Sequence, residues 1–282
     1  VNSQHSNQLI QGEMLAVIAT IAPQSIDLLY LDPPFAAGRV FADSAGAFDD
    51  RWHGGLNEYL TWLEQRLVAA RQLVAEHGSL FLHLDRRAVH YAKVLLDRIW
   101  GFDCFRNEII WHYTGGGRAR RSFSHKHDTI LWYSKHPQQW TFNLQAMRQP
   151  YKASSGFAKA GIRSAAGKHY LPHPDGTPVD DVWDIPMLNP MAAERLGYPT
   201  QKPERLLERI ILAASNSDDL VADLCCGSGT TAAVAQRLGR RWIAADQSAD
   251  ALALVRTRLR QQAAEWHEHV IQPQPDWLAA KH

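Results

Sequence analysis

Asp32-Pro33-Pro34-Phe35 is the segment of this chain best equipped for chemistry. Two consecutive prolines fix the backbone and remove two N–H donors, which leaves carbonyl oxygens pointing outward. A planar amine presents two N–H donors, and the Asp32 carboxylate and the Pro33 carbonyl can accept one each. Phe35 can stack on the ring that carries the amine. Stacking of a base on an aromatic side chain is worth roughly 1–3 kcal/mol, which offsets much of the cost of drawing a base out of its stack. Such acceptors stabilise the charge that develops on N–H as the nitrogen becomes tetrahedral during in-line attack on a methyl donor, so Asp32 need not deprotonate the neutral amine first. Taken alone, the same four residues also suit a proline-terminated strand with an incidental acid.

The second constellation is Leu220-Val-Ala-Asp-Leu-Cys-Cys-Gly-Ser-Gly-Thr-Thr-Ala, an apolar run, a glycine-rich turn and a helix start. Gly227 and Gly229 permit a sharp turn and close approach to a ligand, and free N–H groups near Thr230 and Thr231 favour a carboxylate or phosphate. Asp246 follows Gly229 by about 17 residues, at the end of the next strand, where an acid can accept from both hydroxyls of a ribose. An adenosine-type cofactor is therefore expected. Ala232 stands at the third glycine position of the dinucleotide fingerprint, and Asp223 would repel a pyrophosphate. The same carboxylate suits the amino group of the methionine moiety of S-adenosylmethionine. Asp223 can equally be a turn-forming acid, and Cys225 and Cys226 read as packing residues.

Elements must place these segments. Ile26 to Leu31 is a short apolar run ending in Asp-Pro-Pro and reads as a buried parallel strand. A helical period over Asn57 to Glu76 is broken by Gly78 before a strand at Ser79 to Leu84. A helix at about Ala88 to Trp100 ends at Gly101, and strands follow at Glu108 to Tyr113 and Thr129 to Ser134 around a glycine- and arginine-rich loop, Thr114 to Ser124. From Pro137 to Arg195 the periodicity fades, which marks a small irregular subdomain. Regular texture returns with helices at Pro203 to Ser215, Thr230 to Leu238 and Ala249 to Glu265, and strands at Leu220 to Leu224 and Trp242 to Ala245. Strands alternating with helices argue for a mainly parallel sheet covered on both faces.

Composition bounds the partners. The 282 residues, 45% hydrophobic, suffice for one large α/β domain with a smaller inserted or appended one. No run approaches the roughly 20 apolar residues of a membrane span, the start Val1 to Gln8 does not read as a signal peptide, and the three cysteines give no disulfide framework. A cytoplasmic, nucleoid-associated protein is expected. The 14 histidines are scattered, with His125/His127 and His267/His269 lacking further partners at zinc-site spacing, so no metal is expected. The net charge is only +1, yet His112 to His173 holds ten basic residues against Asp128, about +9 locally. Such a field suits a polyanion, whose condensed counterions are released on binding, as well as a solvated surface.

In these motifs and their order the chain resembles the β class of DNA amino-methyltransferases, in which the catalytic motif precedes the cofactor motif. The resemblance covers nearly the whole chain: Leu28-Leu-Tyr-Leu-Asp-Pro-Pro-Phe, Gly78-Ser-Leu-Phe-Leu-His-Leu-Asp, Asn107-Glu-Ile-Ile-Trp-His-Tyr, Lys126-His-Asp-Thr-Ile-Leu-Trp-Tyr-Ser-Lys, Asp181-Val-Trp-Asp-Ile-Pro, Gly197-Tyr-Pro-Thr-Gln-Lys-Pro-Glu-Arg-Leu-Leu and the glycine turn. It implies an α/β, Rossmann-like fold with a seven-stranded, mostly parallel sheet, one reversed strand and helices on both faces. It also implies S-adenosylmethionine as cofactor, a flipped adenine or cytosine at Asp32, Pro33, Pro34 and Phe35, double-stranded DNA as partner, a homodimer and a restriction–modification setting. Carried over by position, Tyr198, Thr200, Gln201, Lys202 and Pro203, with Asp223, Cys225, Gly227, Gly229, Thr230 and Thr231, contact the cofactor, and Asp246 its ribose. Lys202 can instead be a solvated lysine, and Cys225 stands where the family often has an aromatic residue.

The resulting division is a catalytic half at 1–136, a target-recognition region at 137–195 and a cofactor half at 196–282. DNA contacts are expected from Arg118, Arg120, Arg121, Lys126, Arg148, Lys152, Lys159, Arg163 and Lys168, more to phosphates than to bases for any one of them. Aspartate first in the catalytic motif resembles the adenine-N6 enzymes, whereas cytosine-N4 enzymes more often place serine there. Both amines offer two N–H groups, so N4-cytosine stays open, as do a catalytically silent DNA-binding relative and an RNA or protein amine as substrate. Cytosine-C5 methylation needs a thiolate, usually in Pro-Cys, and the sequence has no such pair.

Overall fold

The computed structural model describes residues 6–43, 46–115, 118–189 and 191–272. Gly116 and Gly117 of the arginine loop, the first five residues and the tail with Pro273 and Pro275 lie outside the described residues.

Nine strands make the main sheet: β1 (Gln8–Gln11), β2 (Ile26–Leu31), β3 (Val74–Leu84), β4 (Phe105–His112), β5 (His127–Ser134), β6 (Val182–Asp184), β7 (Leu220–Asp223), β8 (Arg241–Asp246) and β9 (His267–Val270). Their spatial order is β6, β4, β5, β3, β2, β7, β8, β1, β9. β5 runs antiparallel to both neighbours and all other pairings are parallel. Seven strands with one reversed were expected. Spacing located six of the nine; β1, β6 and β9, of four, three and four residues, are too short to leave a periodic signal.

The helices are α1 (Met14–Ile18), α2 (Gly55–Leu73), α3 (Val89–Trp100), α4 (Gly156–Ala160), α5 (Glu204–Ala214), α6 (Thr230–Arg237) and α7 (Ala249–Gln261). β2 is apolar and buried from Leu28 to Leu31 because both faces of the sheet are covered. Leu29 and Leu31 pack into the core with α1, α2 and α3, while Leu28 and Tyr30 pack into the core with α5, α6 and α7. No described helix is long and apolar enough to cross a membrane.

Gly78 does not separate a helix from a strand. α2 ends at Leu73, and β3 begins at Val74, opposite Ile26. The register then shifts so that Ser79 faces Leu28, and a Cβ at Gly78 would stand 2.8 Å from the Asp27 carbonyl oxygen. The glycine serves a bulge with close backbone approach. A hairpin at Val40–Asp43 and Gly46–Asp49 follows β2, where the sequence shows no alternation to announce it. The described residues of 137–195 are mostly irregular, with α4, short pairings Arg148–Gln149 to Thr177–Pro178 and Ile162–Arg163 to His169–Tyr170, and β6, which joins the main sheet.

β2 and β7 are adjacent and parallel at the centre, with Asp223 opposite Tyr30, and β8 pairs with β7 on the other side. The Asp-Pro-Pro-Phe turn, the glycine turn and Asp246 therefore leave one edge of the sheet together, the carboxyl ends at which open α/β sheets bind ligands.

Candidate active site

Past Leu31 the chain cannot continue in the sheet, and Pro33 and Pro34 turn it outward. Ala36 then takes a positive φ of 56°, and the turn is held by Asp50. This buried carboxylate accepts from the backbone N–H groups of Phe35 (3.1 Å), Ala36 (3.0 Å) and Ala37 (2.8 Å) and from Trp52 Nε1 (3.0 Å). The hairpin after β2 is what returns the chain to place Asp50 there.

The Asp32 carboxylate has one oxygen on each of two cations or potential cations. Oδ2 accepts from Lys202 Nζ. Oδ1 has no hydrogen-bond partner and lies 3.9 Å from His83 Nδ1. Lys202 Nζ also stands 5.3 Å from the centroid of the Phe35 ring, and that ring lies 5.7 Å from the His83 ring. His83 is fully buried on β3; its Nδ1 is 2.8 Å from the Tyr30 hydroxyl and its Nε2 is 3.5 Å from Asp128 Oδ2. Asp128 Oδ1 accepts from the Tyr113 hydroxyl at 3.2 Å. Burial pushes the Asp128 carboxyl up, but His83, Lys202 and the Tyr113 hydroxyl together outweigh it and hold the group below the usual range. Burial, aided by Asp32, raises the Tyr30 phenol far above its ordinary value, so it stays neutral.

At the glycine turn, Gly227 and Gly229 have φ of 48° and 73°. A Cβ on Gly227 would sit 2.9 Å from the Tyr198 ring, and one on Gly229 2.8 Å from Val255. Asp246 accepts through Oδ2 from Gly227 N and through Oδ1 from Ser248 N, both at 2.9 Å. Asp223 accepts from Thr231 Oγ1 at 2.6 Å and from Cys225 N at 3.1 Å. Burial drives Asp223 up to about 7 against those hydrogen bonds, and burial likewise raises Asp246. Both adjacent thiols, Cys225 and Cys226, are pushed far up by burial, which suits packing and not nucleophilic attack.

One cavity of about 350 Å³ joins the two constellations. Asp32, Pro33, Pro34 and Phe35 line it, as do Tyr198, Thr200, Gln201, Lys202, Asp223, Cys225, Gly227, Thr230, Thr231 and Asp246. Gly229 and Pro203 lie behind the wall, where they begin α6 and α5. Lys202 reaches Asp32 and is neither solvated nor directed at the helix start. Gln201 is tied to the backbone of Glu194 and Leu196. Sequence reasoning missed Asp50, His83, Glu13, Arg66, Trp52 and Trp62. Glu13 and Arg66 form a buried ion pair on the cavity wall, and Arg66 Nε has no partner there. A histidine inside an apolar strand was the available signal for His83; Asp50 directly follows a hairpin that the sequence does not announce. Among the described residues no group of three or more His, Cys, Asp or Glu is placed to hold a metal ion.

Residues 26–256 match the N6/N4 family whose description is DNA methylase. The chain belongs to that family. This DNA methylase is 31% identical over 252 residues to the type II methyltransferase M.HpaI of Haemophilus parainfluenzae, across 89% of the chain and 74% of the relative. It is 29% identical over 252 residues to the DNA adenine methyltransferase YhdJ of Escherichia coli K12, across 89% and 82%. Its fold matches the cytosine-N4-specific PvuII DNA methyltransferase with a TM-score of 0.62 at 16% identity, over 95% of this chain and 96% of that one. It also matches M1.HpyAVI in complex with S-adenosylmethionine, with a TM-score of 0.59 at 19% identity, over 89% and 98%.

Most of the methylase's candidate DNA contacts are exposed: Arg118, Arg120, Arg121, Lys152, Lys159, Arg163 and Lys168. Two are engaged internally. Arg148 donates to Gln145 Oε1 and to the Gly176 carbonyl, both at 2.8 Å, which pins the irregular segment to itself, and Lys126 donates to the Gly115 carbonyl across the arginine loop.

Proposed function

We propose that this methylase transfers a methyl group from S-adenosylmethionine to the exocyclic N6 of an adenine flipped out of duplex DNA, with Asp32, Pro33, Pro34 and Phe35 as the amine pocket. The observation that carries this reading is the Asp32 carboxylate itself, on the wall of the cavity next to the Phe35 ring, fixed through one oxygen by Lys202 and with hydrogen-bonding capacity to spare. An ionised carboxylate has about four lone-pair sites, so a second N–H can be accepted beside Lys202.

The residues suit the cofactor. Gly227 leaves open a space that a Cβ would close against Tyr198, Asp246 stands at the strand end beside it, and Asp223 offers a carboxylate to a positive group. Cys225 leaves the wall without the aromatic residue frequent in relatives, and Trp52 and Trp62 bring aromatic surface to the same cavity. When bound, S-adenosylmethionine supplies an electrophilic sulfonium methyl. The chain's own share is positional and electrostatic: Asp32 and the Pro33 carbonyl accept the two amine hydrogens, Phe35 stacks on the base, and burial excludes water.

Adenine is favoured over cytosine by the aspartate at position 32 and by the adenine specificity in the name of the relative at 29% identity. N4-cytosine is the second reading, since the fold is shared with a cytosine-N4 enzyme. We assign 137–195 to target recognition, 1–136 and 196–282 to the catalytic and cofactor halves, the exposed arginines and lysines of 118–168 to DNA, and a homodimer to the working form. The experiment is tritiated methyl transfer to unmodified genomic DNA followed by digestion to nucleosides. N6-methyladenine is expected, and label in N4-methylcytosine would overturn the base assignment; modification-aware sequencing of the same product reads the site.

A further inference from the structure

We propose that His83 relays the proton lost by the methylated amine, from Asp32 to Asp128. The inference rests on the Asp32 pocket described above and adds the path by which its proton leaves. As the new N–C bond forms, the nitrogen becomes cationic with one hydrogen too many, and its proton leaves in the same step as the methyl transfer, while base and cofactor fill the cavity over Asp32.

The residues beneath the pocket are arranged for this. His83 has no exposed surface, and each ring nitrogen faces a carboxylate: Nδ1 stands 3.9 Å from Asp32 Oδ1 and Nε2 stands 3.5 Å from Asp128 Oδ2. Both Asp32 Oδ1 and His83 Nε2 lack hydrogen-bond partners, an arrangement that costs stability and calls for an explanation in function. Asp128, 17% exposed against 15% for Asp32, lies outside the cavity lining, and so keeps its exposure when base and cofactor cover Asp32. It reaches this edge because β5 is reversed, so that the start of β5 lies beside the end of β3, with Thr129 opposite Leu84.

The relay starts from the tautomer in which Nε2 carries the hydrogen, toward Asp128, and Nδ1 accepts from the Tyr30 hydroxyl 2.8 Å away. When the amine N–H bond breaks, an O–H bond forms on the Asp32 carboxyl. A half-turn about Cβ–Cγ exchanges its oxygens if the proton first arrives beside Lys202. An approach of about 1 Å brings that O–H within hydrogen-bond reach of Nδ1. Nδ1 takes the proton, the Tyr30 hydroxyl turns to accept from it, and Nε2 passes its own proton to Asp128 Oδ2, which releases it to solvent. Charge is conserved at each transfer and no other reactant enters. The charged or titratable groups facing His83 are Tyr30 from β2, Asp32 beyond it with its partner Lys202 from the segment before α5, and Asp128 from β5; Tyr113 and Asp85 act on Asp128.

The test is the single-turnover methylation rate of the full chain on duplex DNA, across pH and in light and heavy water, for the native protein, His83→Asn and Asp128→Asn. The native rate is expected to rise with pH and to fall in heavy water. Both variants are expected to lose at least tenfold in rate, with the pH limb and the solvent isotope effect gone and S-adenosylmethionine affinity within about twofold of native. A variant that keeps the native pH limb and isotope effect, however slow, would show His83 to be packing only and overturn the relay. Should His83→Asn fail to melt cooperatively, Asp128→Asn decides by the same criteria. Asp32→Ala separates the two levels: full activity in it removes the pocket and the relay together, whereas loss of activity there beside native pH behaviour in His83→Asn removes the relay alone.

Discussion

In the cofactor site proposed above, Asp223 is an acid whose setting would turn cofactor binding into a titration. Burial raises its carboxyl to about 7, against the hydrogen bonds from Thr231 and Cys225. A cation bound beside it favours the ionised form, so below about pH 7 each binding event must expel a proton. The Kd for S-adenosylmethionine is therefore expected to weaken by up to tenfold per pH unit as pH falls below about 7 and to level off above it. Asp223→Asn should bind more weakly and lose that slope. Calorimetry in two buffers of different ionisation enthalpy measures the released proton, and a Kd flat from pH 5.5 to 7 would count against the assignment. Asp32 makes the complementary case. Asp32→Ala removes both the proposed amine acceptor and the partner of Lys202, so methyl transfer is expected to fall by about a thousandfold or more, of the order lost when a transition-state hydrogen bond and a general base go together, with cofactor Kd within about threefold. Retained turnover would remove Asp32 from the chemistry.

At the scale of elements, two turns carry the site, and each depends on one residue. The turn after β2 hangs on Asp50, which satisfies three successive backbone N–H groups. Asp50→Ala leaves them unpaired in a part-buried place, and a loss of roughly 1 kcal/mol or more is expected to lower the melting temperature and to reduce kcat far more than cofactor affinity. Equal losses in kcat and affinity would mean that the turn serves the whole cavity. The turn after β7 hangs on Gly227, with φ of 48° and the Tyr198 ring 2.9 Å from where a Cβ would stand. Gly227→Ala is expected to weaken S-adenosylmethionine at least tenfold, because both the backbone conformation and the Tyr198 wall must give way; calorimetry checks it. The helix and strand periods that carry these turns were readable from spacing. The bulge at Gly78 was not, since a glycine between two apolar runs reads the same whether it breaks the chain or lets two backbones approach.

For the whole molecule, the near-neutral net charge conceals a basic middle against an acidic remainder. Reversal of Arg118, Arg120 and Arg121 to glutamate is expected to weaken DNA binding at least tenfold at low salt and to make the plot of log affinity against log salt shallower by about 2 to 3. Fluorescence anisotropy over a salt series measures it, and an unchanged slope would move the DNA face elsewhere. The sequence by itself determined the family, the mainly parallel α/β architecture, and the Asp32–Phe35 and glycine-turn motifs, because each is local: a strand's apolar run and the turn chemistry at its end lie within a dozen residues. Only the tertiary structure decided what those motifs meet. Lys202 reaches Asp32 across 170 positions of chain, His83 lies between Asp32 and Asp128 because one strand runs backwards, and Asp50 returns through a hairpin to hold the turn at Phe35 to Ala37. These are contacts between charged and polar groups far apart in the chain. Hydrophobic periodicity reports which face of an element is buried, and carries no record of which polar partner the fold will bring to it.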